Sequence, residues 1–73
     1  MKMKQKTNFE LVRGWMCADN SLDSWIYETE AALKRDLTIK EENQYIQKTL
    51  DECKQIMEDC SMTLYEAYKA LMY

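Results

Sequence analysis

The side chains able to do chemistry in this 73-residue chain are unevenly chosen: thirteen Asp/Glu, ten Lys/Arg, three Cys and no His. Without His there is no imidazole base, no Ser-His-Asp triad and no zinc-bound water held by imidazoles. A single Gly leaves no glycine-rich cradle for phosphate. Cys53 and Cys60 stand seven residues apart, about 10 Å along a helix. Disulfide partners need Cα atoms within about 7 Å. On one continuous helix the two therefore neither bridge nor share a zinc, and both read as small core hydrophobes. Cys17 has no imidazole to activate it as a nucleophile. The carboxylate pairs Glu41-Glu42, Asp51-Glu52 and Glu58-Asp59 are not set in apolar surroundings. Acid–base work needs a cleft that raises one carboxyl pKa, and a domain this small has little room for one. The expectation is a protein that is no enzyme and carries no cofactor.

One acidic stretch has the spacing of a cation loop. Asp19, Ser21, Asp23, Ile26 and Glu30 fall at positions 1, 3, 5, 8 and 12 of a twelve-residue segment, and in this it resembles part of an EF-hand calcium loop. Ser24, however, stands where the sharp turn needs Gly, and Leu22 puts an apolar group in a wet position. The favoured alternative is a helix cap followed by an acidic first turn, which complements the helix dipole. No metal site is expected.

The elements that position these groups are helices. Thr7–Glu10, Thr38–Glu41 and Thr63–Glu66 each fit a capping box, in which a Thr hydroxyl and a Glu three residues on satisfy each other's backbone amides. Phe9, Val12 and Met16 give a first helix from about Asn8 to Ala18, broken by Asp19-Asn20-Ser21. Asn20 or Ser21 caps a second, with Leu22, Trp25, Ile26, Thr29 and Leu33 on one face and an end near Asp36. Ile39, Asn43, Ile46, Leu50, Cys53, Met57 and Cys60 then form a heptad-like seam on a long third helix, about 39–60. A fourth helix starts at Ser61 or Thr63. The fold class is thus all-α, a small bundle of three to four short helices around one long one. Residues 1–6 read as a flexible basic arm and 7–73 as a single domain. The seam faces either the rest of the bundle or a second copy in a homodimer, where Asn43 would fix the register.

Charge and compartment follow. Setting aside Lys2, Lys4 and Lys6 leaves seven basic against thirteen acidic residues, a net of −6 over residues 7–73. No apolar run is long enough for a membrane span, and no hydrophobic run follows the charged N-terminus as in a secretory signal. Three cysteines, an odd number, without such a signal point to free thiols in a cytoplasmic protein. The third and fourth helices could mimic a helix-turn-helix, but the fourth offers a groove only Lys69, and an acidic domain repels phosphate. Direct nucleic-acid binding is therefore not expected.

The pattern points instead to a protein partner. Eight of the last ten residues are apolar, and Glu66 and Lys69 mark one wet side of the fourth helix. Leu64, Ala67, Tyr68 and Leu71 fill the stripe that one packing contact buries. Tyr65, Met72 and Tyr73 are left over, as is Trp15 on the first helix. Tyr, Trp and Met are enriched at interfaces. These four residues are the candidate contacts of an adaptor, regulator or inhibitor. Gly14, costly inside a helix, suggests a close backbone approach within the fold or to a partner. The second reading is an acidic inhibitor that occupies the nucleic-acid-binding site of another protein, with Asp51, Glu52, Glu58 and Asp59 standing in for phosphates. Small anti-defence proteins of mobile elements supply the analogy. The third and weakest is a calcium-responsive module.

Overall fold

The computed structural model describes residues 6–73. Lys2 and Lys4 of the expected basic arm lie outside them, and Lys6 is exposed. The described residues form four helices, α1 (Asn8–Ala18), α2 (Ser21–Leu33), α3 (Ile39–Cys60) and α4 (Leu64–Met72). Among the described residues there is no strand. No helix there is long and apolar enough to cross a membrane. The molecule measures 39 × 36 × 19 Å, so it is about two helix diameters thick.

All three capping boxes form. Thr7, Thr38 and Thr63 each accept the amide of the Glu three residues on, while that Glu accepts the Thr amide. These boxes fix the starts of α1, α3 and α4 at the positions the sequence gives. The start of α2 is different. Asn20 takes a left-handed conformation (φ 63°) and makes no side-chain cap; Asp19 Oδ1 accepts the Ser21 amide at 3.0 Å instead. The end of α2 also moves, from the expected Asp36 back to Leu33. Lys34 turns left-handed (φ 59°), and the Glu30 carboxylate accepts the Leu37 amide across the connection. Arg35 then meets Glu41 in a bidentate pair at 2.9 and 2.8 Å, clamping the link onto the start of α3.

α3 is the spine. It packs against α4 and α1, and α2 packs against α1. Val12 and Met16 of α1, Leu22 of α2, Ile46, Leu50 and Cys53 of α3, and Ala67 and Tyr68 of α4 form the buried core. Trp25 of α2 stacks on Tyr45 of α3 with centroids 4.0 Å apart and planes within 2°. The middle of the α3 seam is therefore consumed within the chain. Its ends are not: Ile39, Asn43 and Cys60 are exposed, and only Cys53 of the two seam cysteines is core. The physical reason is position: Ile39 and Cys60 are the first and last residues of α3, whereas Ile46, Leu50 and Cys53 lie in its middle, where α1 and α4 pack. Leu33, the last residue of α2, is likewise half-exposed. Gly14 faces open space, with nothing within 4 Å of where a Cβ would stand, so no close approach inside the fold explains it.

Candidate functional site

The site forms where the α1–α2 turn meets α4. Trp15 lies one turn before the end of α1 and is half-buried against the core. Its ring meets Tyr65 at 5.1 Å and Tyr68 at 5.4 Å, with planes tilted by 59° and 46°. Such tilted pairs contribute beyond their buried area, by about 0.5–1.5 kcal/mol each. The three rings do not lie flat on one another. They flare into a hollow of about 180 Å³ whose remaining walls are Ala18, Asp19 and Tyr73.

Asp19 organises this end of the molecule. Its Oδ2 accepts the Tyr68 hydroxyl at 2.6 Å and the Tyr73 hydroxyl at 2.8 Å, while Oδ1 accepts the Ser21 amide. Ser21 Oγ stands 3.3 Å from the Tyr68 oxygen. Partial burial pushes the Asp19 pKa up, but the hydrogen bonds from Ser21, Tyr68 and Tyr73 outweigh it and hold the carboxyl at about 2. Burial and the same carboxylate push the Tyr68 phenol up. The hydrogen bond to Asp19 does the same for Tyr73. At neutral pH the turn thus holds a carboxylate whose donors are all neutral.

Of the four leftover residues, the fold brings together three. Trp15, Tyr65 and Tyr73 share the hollow. Tyr65 is 50% exposed and Tyr73 76% exposed, although each is held, Tyr65 against Trp15 and Tyr73 through Asp19. Lys69 Nζ sits 5.4 Å from the Tyr65 ring centroid at the rim. Met72 is separate. It is half-buried and packs against the core cluster, and it does not line the hollow. Helical spacing alone cannot find Asp19, because it acts from a turn. The available signal is the pair of tyrosines, 68 and 73, whose hydroxyls need a partner at the end of α4.

The other candidate groups lie elsewhere. Asp51, Glu52, Glu58 and Asp59 are all exposed on the side of α3 away from the core. Gln47 Nε2 donates to Asp51 at 2.9 Å and Gln55 Nε2 to Asp59 at 3.1 Å, so two of the four carboxylates are held in a row. The calcium-like stretch is a turn followed by regular helix. Ser24 lies within α2, and Glu30 is engaged with the Leu37 amide. Its residues cannot wrap an ion in that conformation, because successive helical side chains splay around an axis. Cys17 and Cys60 are exposed free thiols. Burial pushes the Cys53 thiol up, which suits a core residue and not a nucleophile. Comparison with family models, with curated proteins and with solved structures finds no match to this chain.

Proposed function

We propose that the chain is a small protein-binding module, an adaptor, regulator or inhibitor, that meets its partner through Trp15, Tyr65 and Tyr73. The observation that carries this reading is exposure combined with restraint. Tyr65 and Tyr73 present large aromatic surfaces to solvent while ring packing and the Asp19 hydrogen bond fix their orientation. Association must offset the ordering of interface side chains, about 0.5–1.5 kcal/mol for each flexible one. Rings that are already ordered avoid much of that cost. Met72, the fourth candidate, is half-buried against the core and does not line the hollow, so it is left out of this contact set.

Photo-crosslinking in the native cell tests the reading. A benzophenone amino acid at position 65 is expected to capture a discrete protein, and the same group at position 27 is not. Tyr27 is the control because it is more exposed still, at 77%, yet does not line the hollow. Equal capture from both positions, or capture from 27 alone, contradicts the proposal.

A second reading keeps the acidic face of α3. Its support is the restrained row of Asp51 and Asp59 beside Glu52 and Glu58. An acidic inhibitor in a nucleic-acid-binding site would lose its partner steeply with salt, since exposed charges are screened within about 10 Å at 0.1 M. An aromatic interface would weaken little.

A further inference from the structure

The hollow beside Asp19 has the make-up of a cation receptor, and this inference rests on the protein-binding reading above. The hollow is lined by four aromatic residues, Trp15, Tyr65, Tyr68 and Tyr73, of which Tyr68 is buried and Tyr65 and Tyr73 are exposed. Aromatic faces carry negative potential and attract a cation within about 6 Å. One of these rings already does so, for Lys69 Nζ, which does not line the hollow, stands 5.4 Å from the Tyr65 centroid. Asp19 adds a formal negative charge. Its three donors, one amide and two phenols, are all neutral, so they orient the carboxylate without cancelling its charge. Among the described residues the one ion pair is Arg35–Glu41, far from this turn in sequence.

We propose that this hollow receives the guanidinium of an arginine side chain presented by the protein partner, with Asp19 as its counter-charge. Arginine fits better than lysine for two reasons. Its planar head stacks on aromatic faces while its in-plane N–H groups reach a carboxylate, and it is less strongly hydrated than an ammonium, so it enters a half-open hollow more readily. The net negative charge of the domain favours a partner surface that is itself basic.

The test is a titration of the full, isotope-labelled chain with N-acetyl-arginine amide, followed by nuclear magnetic resonance at the Trp15 indole N–H. The same titration is run with the lysine and citrulline amides; citrulline has nearly the shape of arginine but no charge. The expected result is a saturable shift with arginine, at least tenfold tighter than with citrulline and tighter than with lysine. Asp19→Asn, which keeps an acceptor oxygen and removes the charge, should weaken arginine binding at least tenfold. Should that variant unfold, Tyr65→Leu keeps apolar bulk at a half-exposed position, and it is expected to lose several-fold in affinity. No saturable shift, or an equal response to citrulline or to lysine, overturns the proposal. Cross-linking at position 65 is independent of this result, so a hollow that rejects arginine is distinguished from a surface that binds no protein.

Discussion

Asp19 ties the α1–α2 turn to the C-terminus through the Ser21 amide and the hydroxyls of Tyr68 and Tyr73. Hydrogen bonds to a charged group contribute about 1.5–3 kcal/mol, and the buried Tyr68 hydroxyl would keep only the longer contact to Ser21 Oγ. Asp19→Ala should therefore destabilise the fold by about 2–3 kcal/mol in a urea titration at neutral pH. The folded pKa, about 2, lies below the ordinary 3.8. Between those values the unfolded chain binds more protons, so stability rises with pH there. The contribution of Asp19 is complete above about pH 4 and is lost as pH falls toward 2. The gap in stability between wild type and Asp19→Ala should close over that window; a constant gap would show that the carboxylate charge is not what holds the turn. Gly14 gives a prediction of opposite sign. With nothing within 4 Å, an added methyl group meets open space. Gly14→Ala should stabilise by about 1 kcal/mol, raising the melting temperature by about 4–8 °C. A lower melting temperature would mean that the α1 backbone needs glycine for a reason the packing does not give.

At the scale of elements, the three capping boxes make the starts of α1, α3 and α4 legible in the sequence, because a cap is local chemistry. Thr38→Ala should cost about 1 kcal/mol, read from thermal melts. The start of α2 is not legible in the same way. Asn20 has a capping side chain but takes a left-handed conformation and makes no cap, while Asp19 accepts the Ser21 amide. The α3 seam is half legible. Periodicity marks its face, and Ile46, Leu50 and Cys53 are indeed buried on it. It does not say how far the neighbouring helices cover that face, and Ile39 and Cys60, at the two ends of α3, are exposed. Thiol labelling of the native protein reads this out directly. Cys17 and Cys60 should react fast and Cys53 slowly, with all three fast in denaturant. Slow labelling of Cys60 would mean that the end of α3 is covered in solution.

For the whole molecule, the buried middle of the seam predicts a chain that sediments as a monomer at micromolar concentration, since the residues that would pair two copies already face α1 and α4. The all-α class was open to reading because three caps, two amphipathic periods and the absence of Pro agree. The candidate site was half open. Trp15, Tyr65 and Tyr73 stand out as apolar residues in excess of one packing stripe, whereas their convergence on Asp19 depends on tertiary packing across more than forty residues of chain. Met72 falls on the same apolar strip by spacing but turns into the core. The most direct test of the account is the affinity of the cross-linked partner for the wild type and for Tyr65→Ser, measured at low and high salt beside a melting curve. The expected result is a loss of at least tenfold on substitution, a melting temperature within a few degrees of wild type, and only a slight dependence on salt. Undiminished binding by Tyr65→Ser, together with a steep loss in salt and on neutralising Asp51, Glu52, Glu58 and Asp59, would move the interface to the acidic face of α3 and contradict the account.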